Sequence, residues 1–128
     1  MSLDRFIPPA LLKAILSLEP GLLASLTRLR AVTVTGSALT PSLAASSFRV
    51  FPNTQLVNVY RSTEIGTTAT IRILTRLSEP EISIGTPVAN TKVYALDENL
   101  SPAPADTQGE IYVSAPHLAS GYISTNRS

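Results

Sequence analysis

A chain of 128 residues with 44% hydrophobic content is long enough for one modest domain, which by area scaling buries roughly two thirds of its unfolded surface. Ten basic and nine acidic residues, scattered to a formal net charge of +1, form no stripe for a phosphate backbone, which excludes nucleic acid as an expected partner. The absence of cysteine removes disulfides and thiolate zinc sites, and the single histidine, His117, anchors no multi-histidine centre, so any metal here is a hard ion on oxygen ligands.

In chain order, Pro8 and Pro9 open a helix whose apolar residues Leu11, Leu12, Ala14, Ile15, Leu16 and Leu18 leave only a thin polar stripe at Lys13 and Ser17. The pattern predicts a mostly buried helix. Lys13, Glu19 and Pro20 interrupt the apolar run, which is too short and too broken to span a bilayer, and the opening Met1-Ser2-Leu3-Asp4 lacks the basic start of a secretory signal. Cytoplasmic residence with no membrane partner is the expectation. Pro20-Gly21 ends the first helix in this reading, and Leu22, Leu23, Leu26 and Leu29 space a second. Ala31-Val32-Thr33-Val34-Thr35 has the β-branched density of a strand that Gly36 closes.

Thr40-Pro41 provides a cap and a proline at the first helical position, predicting a helix over residues 42–48 before Pro52-Asn53 turns the chain. Gln55-Leu56-Val57-Asn58-Val59-Tyr60 then reads as a strand. The order α, β, α, β argues for parallel strands joined by a helical crossover, with ligands beyond their carboxyl ends. Thr35-Gly36-Ser37 and the stretch from Tyr60 to Gly66 would then meet at one edge. Past Thr67 the chain becomes β-rich: residues 68–74, Lys92-Val93-Tyr94-Ala95-Leu96 and Glu110-Ile111-Tyr112-Val113 look extended. Residues 76–80 look like a surface loop, and Ser101-Pro102-Ala103-Pro104-Ala105-Asp106 is a rigid connector between strands.

The densest chemistry lies at Asn58-Val59-Tyr60-Arg61-Ser62-Thr63-Glu64. Tyr60 offers a flat ring for a purine, Thr63 a hydroxyl for phosphate oxygens, and Glu64 a carboxylate for Mg²⁺, which prefers oxygen ligands. Taken alone, the same residues suit a core strand that ends in a capped turn. The stretch resembles the N-x-Y-G-P-T-E motif of adenylation domains in the adenylate-forming ligase superfamily. Leu29-Arg30-Ala31-Val32-Thr33-Val34-Thr35-Gly36-Ser37-Ala38-Leu39 is similar to the family strand and loop near the adenine, in its A-G-S form. Ile84-Gly85-Thr86-Pro87-Val88-Ala89-Asn90-Thr91-Lys92-Val93-Tyr94-Ala95-Leu96-Asp97 resembles I-G-x-P-x-x-N-x-x-x-Y-x-L-D. Gly109-Glu110-Ile111-Tyr112-Val113 and Leu118-Ala119-Ser120-Gly121-Tyr122 are similar to G-E-L-x-I and L-A-R-G-Y. Several motifs in the right order are far more specific than one.

The resemblance, over residues 6 to 123, implies an α/β fold: part of the large N-terminal domain of an adenylate-forming enzyme, with βα units of mainly parallel strands followed by a β-rich portion. It implies a single incomplete domain, with an α/β part at 6–75 and a β-rich part at 76–128. Carried over residue by residue, Thr35, Gly36, Ser37, Asn58, Tyr60 and Thr63 would bind the nucleotide, Thr63 and Glu64 would be catalytic, and Glu64 would hold Mg²⁺. Thr33, Thr35, Val59, Thr67 and Thr68 would line a small, hydroxyl-rich acyl pocket, and in the family Ile111 and Val113 face a core. The implied reactants are ATP and a carboxylate, most like an amino acid as in nonribosomal peptide synthetase modules. A complete enzyme adds a phosphopantetheine or CoA thiol acceptor and, as a possible partner, a carrier protein.

Two departures stand within the central motif, where Arg61 and Ser62 replace the glycine and proline, and a third where Ser120 replaces an arginine. If the loop needs positive φ at Arg61, that residue costs on the order of 1 kcal/mol and displaces the ring. This sequence has no glycine- and threonine-rich phosphate loop and no counterpart of the family's ribose-binding aspartate, and Lys13 and Lys92 do not match its catalytic lysine. Loss of one pre-placed donor typically costs about 10²- to 10³-fold in rate, so this chain on its own is expected to be inactive and to expose apolar surface. Two readings remain: a portion of an adenylate-forming ligase, or a non-catalytic scaffold with at most weak nucleotide binding.

Overall fold

The computed structural model describes residues 3–26, 28–76 and 80–122. The first strand, β1 (Leu3–Ile7), precedes two helices, α1 (Pro9–Leu16) and α2 (Pro20–Ser25), and the strand β2 (Ala31–Val34). Helix α3 (Pro41–Val50) then leads to β3 (Gln55–Arg61), β4 (Thr68–Leu74) and the short β5 (Thr86–Pro87). These strands form one sheet in the order β1-β2-β3-β4-β5. The βα half is parallel throughout, β1 to β2 and β2 to β3. β4 and β5 add to it antiparallel, and β6 (Lys92–Leu96) with β7 (Glu110–Ser114) makes a separate antiparallel pair. The α/β class and the change of texture after Thr67 are therefore as expected, whereas β1 carries no sequence signal strong enough to announce it.

Period-two alternation divides the main sheet into two unlike faces. Val32 and Val34 of β2 pair beside Leu56 and Asn58 of β3, and these residues are buried. Ile7, Leu12, Leu29, Leu39, Ala44 and Leu74 complete the core on that side, between sheet and helices. Val57 and Ile73, paired across β3 and β4, point the other way together with Phe6. Phe6 is 50% exposed and Ile73 58%. An uncovered apolar sheet face favours association, so size-exclusion chromatography of the chain is expected to show oligomers or a trailing peak, and a sharp monomer peak is the contrary outcome.

Several local expectations change in the folded chain. Helix α1 buries only Pro9 and Leu12, and Leu11 is exposed, so the helix is largely a surface helix. Its apolar residues cover too wide an arc for one contact with the sheet to hide. Pro20 starts α2 at its first positions rather than stopping α1, which has already ended at Leu16. A proline fits a helix start because the N–H it lacks has no intrahelical acceptor there. The expected cap on α3 is present, with Thr40 Oγ1 accepting from the Leu43 N–H at 3.3 Å.

In the second half, Ile111 is 43% exposed and Val113 half-buried, so the core that the family likeness implied for them is not formed by a two-stranded ribbon. The connector between β6 and β7 is fixed by Asp97, whose Oδ1 accepts from the N–H groups of Asn99 and Ser101, both at 2.9 Å. Of the loop expected at 76–80, residues 77–79 lie outside the described residues. No helix among the described residues is long and apolar enough to cross a membrane.

Candidate functional site

The carboxyl ends of β2 and β3 are neighbours in the sheet, which brings the loop at Thr35-Gly36-Ser37 against the loop that begins at Arg61. Gly36 has a φ of +97°, a backbone state that L side chains adopt at a cost, and a Cβ built there meets nothing within 4 Å. The glycine is thus required by the turn and leaves open space beside it. Two clefts meet at this point. One, of about 290 Å³, is lined by Gly36, Ser37, Ala38, Leu39, Asn58, Val59, Tyr60, Arg61, Ile82 and Ile84. The other, of about 500 Å³, is lined by Thr35, Gly36, Arg61, Ser62, Thr63 and Gly66.

The first cleft is apolar at its base and has one buried amide. Asn58 is 7% exposed and its Nδ2 donates to the Ser83 carbonyl at 3.1 Å. Thr70 Oγ1 donates to the Ile84 carbonyl at 2.6 Å. These two bonds tie the 82–84 segment across the ends of β3 and β4, so that Ile82 and Ile84 close the cleft's wall. Sequence reasoning assigned no role to Ile82 and saw Ile84 only as part of a motif. Their alternation around Ser83 was the available signal.

The second cleft is lined by hydroxyls and one guanidinium. Thr35 Oγ1 is buried with no hydrogen-bond partner, a costly state that a ligand donor or acceptor would relieve. Arg61 lines both clefts and is their only charged residue. It is the last residue of β3 and is absent from the positive-φ positions, so the backbone strain considered for it does not arise. Its guanidinium carbon lies 4.9 Å from the centroid of the Phe6 ring, a cation–π distance.

Of the expected site residues, the fold gathers Gly36, Ser37, Asn58, Val59 and Tyr60 around one cleft and Thr35, Gly36 and Thr63 around the other. Thr33, Thr67 and Thr68 line neither. Thr33 lies on the sheet face opposite Val34, Thr67 is exposed, and Thr68 begins β4. Glu64 also lies outside both clefts. The turn that carries it closes with the Gly66 N–H donating to the Thr63 carbonyl at 3.1 Å, and Ser62 rather than Thr63 caps it, through a long bond of 3.4 Å from the Ile65 N–H.

The Tyr122 hydroxyl donates to Glu64 Oε1, a contact between positions that sequence spacing gives no reason to join. That bond, then the backbone N–H of Glu64 itself and the Ser62 hydroxyl, hold the Glu64 carboxyl below its ordinary value. The same bond, with some desolvation, pushes the Tyr122 phenol up. A lowered carboxyl contributes stability above its unfolded value, which is lost as pH falls through the folded one. A raised phenol contributes below its unfolded value and loses this as pH rises through the folded one. Desolvation, followed by the charge of Glu110, also raises Tyr112. Absorbance titration is therefore expected to show two phenols that ionise late, and Glu64→Gln to leave one.

The donor set bears on metal binding. No group of three or more His, Cys, Asp or Glu is assembled among the described residues, so the chain provides no cage of its own. Mg²⁺ keeps several waters and takes one or two carboxylates plus substrate phosphates. One ionised, exposed glutamate beside a hydroxyl-rich cleft fits that requirement.

The family model for AMP-binding enzymes matches residues 6–123. The chain belongs to the AMP-binding enzyme family. Curated relatives include phosphinothricin tripeptide synthetase PhsB of Streptomyces viridochromogenes, 36% identical over 119 residues, which cover 93% of this chain and 10% of that protein. Indigoidine synthase of Dickeya dadantii is 35% identical over 119 residues, covering 90% of this chain and 8% of its own length. This AMP-binding chain thus spans a tenth or less of either protein.

Among solved structures, PA1221, an NRPS protein containing adenylation and PCP domains, superposes with a TM-score of 0.78 at 31% identity, over 91% of this chain and 24% of its own. The NpsA N-terminal subdomain of Klebsiella oxytoca, in complex with 3-hydroxybenzoyl-AMSN, gives a TM-score of 0.77 at 19% identity, over 94% of this chain and 31% of its own. The latter likeness shows the fold, that of an adenylation N-terminal subdomain.

Proposed function

We propose that this AMP-binding chain forms the nucleotide edge of an ATP-dependent ligase that activates an amino acid as its acyl-adenylate, for transfer to the thiol of a carrier protein. The observation that carries the reading is the convergence of the Gly36 turn and the Tyr60–Thr63 loop on two adjoining clefts. The smaller one lies near the lower limit of small-molecule pockets, about 300 Å³, and suits a purine rather than a whole nucleotide.

In this reading Tyr60 stacks on the adenine, Asn58 and the backbone at Gly36 and Ser37 border its edge, and Thr63 donates to the α-phosphate. Thr35 Oγ1, unpartnered in the free chain, gains a partner on the ligand. Glu64 holds Mg²⁺, whose charge would offset that of the phosphates when bound. Thr35 and Val59, which line the clefts, border the acyl group, and Thr33, Thr67 and Thr68, which line neither, would meet it only outside them. Placing carboxylate and α-phosphate in contact supplies the orientation that a bimolecular reaction otherwise lacks. The relatives' PCP-containing architecture supports the carrier-protein partner.

A second reading, a scaffold that no longer turns over, is favoured by Arg61, which lines both clefts where the family motif has glycine. Calorimetric titration of the chain with ATP and Mg²⁺ separates the two. Saturable heat well below millimolar nucleotide supports the ligase reading, and heat only at millimolar nucleotide, or none, leaves the scaffold.

A further inference from the structure

The segment carrying Leu118-Ala119-Ser120-Gly121-Tyr122 returns to the turn after β3 and meets it at three points. The Ala119 N–H donates to the Glu64 carbonyl at 2.8 Å. The His117 carbonyl lies 3.1 Å from where a Cβ on Gly66 would stand, a tight approach that a side chain there would push back by a few tenths of an ångström. The Tyr122 hydroxyl donates to Glu64 Oε1 across 58 positions of sequence. Main chain and side chain of the same glutamate are therefore gripped by a single strap.

Left to itself, an exposed glutamate samples many rotamers, and ordering it on a ligand costs rotamer entropy. Here the strap fixes the backbone of residue 64, and the phenol then reaches one oxygen of its carboxylate. A carboxylate has about four lone-pair sites, so with the phenol on Oε1 and further bonds from the Glu64 N–H and the Ser62 hydroxyl, the group still has capacity for a cation at Oε2. Glu64 also follows directly on Thr63, which lines the hydroxyl-rich cleft.

We propose that Tyr122 is a positioning residue for Glu64: its hydroxyl, delivered by the strap at Ala119, holds the carboxylate in one rotamer so that Oε2 faces a divalent cation carried on nucleotide phosphates. This rests on the nucleotide reading given above. Outer partners of a ligating carboxylate orient it, and their loss typically costs about 10- to 100-fold in metal affinity. Both side chains are exposed here, which places the expected effect at about tenfold.

The test measures ATP affinity of the whole chain by calorimetry, with and without Mn²⁺, in the wild type, Tyr122→Phe, Glu64→Gln and the double variant. Tyr122 is 76% exposed, so removing its hydroxyl leaves the packing intact. The expected result is a metal-dependent gain in affinity that Glu64→Gln abolishes and Tyr122→Phe reduces about tenfold. Metal-free ATP binds all four alike, and the double variant matches Glu64→Gln. The ¹³C resonance of the Glu64 carboxyl, recorded without metal, is expected to move in Tyr122→Phe. An equal metal-dependent gain in wild type and Tyr122→Phe overturns the positioning role and leaves the nucleotide reading standing, as does a Tyr122→Phe loss that persists beside Glu64→Gln. A wild type that gains nothing from Mn²⁺, or whose gain survives Glu64→Gln, overturns the metal assignment and the positioning role with it.

Discussion

Replacing Gly85 by alanine is expected to destabilise the chain by about 2–4 kcal/mol, because the substitution fails on two separate grounds. Gly85 has a φ of +88°, and a Cβ there would stand 2.1 Å from the Ile71 carbonyl oxygen and 2.4 Å from its carbon. The positive φ alone costs about 1 kcal/mol. The overlap is with strand backbone rather than a flexible side chain, and overpacking of this kind costs about 1–3 kcal/mol. Relief requires moving β5 away from β4, where Thr86 pairs with Ile71. That motion also withdraws Ile82 and Ile84 from the cleft they line. Gly21→Ala is the control: nothing lies within 4 Å of its Cβ, it sits within α2, and alanine there is neutral or stabilising by about 0.5–1 kcal/mol. Urea unfolding midpoints check both, and equal midpoints for Gly85→Ala and wild type contradict the account.

The second large effect concerns Tyr60, for which alanine is expected to weaken ATP binding about tenfold. Stacking of a base on an aromatic ring is worth about 1–3 kcal/mol by alanine substitution, and Tyr60 is the one aromatic residue lining the apolar cleft. It is half-buried at the end of a well-paired strand, so loss of the ring changes the cleft more than the core. Arg61→Gly is expected to act in the opposite direction, removing bulk from a position that lines both clefts at the expense of its contact with Phe6. Calorimetry with ATP reads both. A Tyr60→Ala variant that binds as tightly as wild type contradicts the stacking, and an Arg61→Gly variant that binds more weakly makes the guanidinium a contributor instead of an obstruction.

The parts of this fold that were legible in the sequence are those whose signals are local. Ala31–Val34, Gln55–Arg61 and Thr68–Leu74 are strands for the β-branched residues they carry, and Thr40-Pro41 announces α3 because cap and proline act within one turn. The meeting of the Gly36 and Tyr60 loops followed from the α, β, α, β order, since parallel neighbours place their carboxyl ends together.

What stayed hidden depends on partners far along the chain. β1 is a strand because β2 offers it a parallel edge, with Phe6 beside Thr33 and Ile7 beside Val34. β5 has only two residues, and hydrogen bonds to β4 define it rather than any propensity of Thr86 and Pro87. Pro20 was ambiguous because a proline fits both the end of one helix and the start of the next. The Tyr122 contact with Glu64 joins two segments whose motifs, read singly, assign no work to the tyrosine. Five residues were assigned to the acyl pocket, and of these Thr33, Thr67 and Thr68 line neither cleft. Their positions follow strand parity and loop course, which spacing alone does not report.

Strand parity also bears on how a site of this kind changes over time. Along β3, Asn58 and Tyr60 project to the helix-covered side, while Val57 and Val59 project to the opposite one, where Val57 is half-buried and Val59 buried. Under the proposed function, Asn58 and Tyr60 would serve the nucleotide from one side of the sheet and Val59, which lines the same cleft, the acyl group from the other. On that reading, a substitution at Val59 would bear on which acid is accepted while the side chains of Asn58 and Tyr60 keep to their own side of the strand.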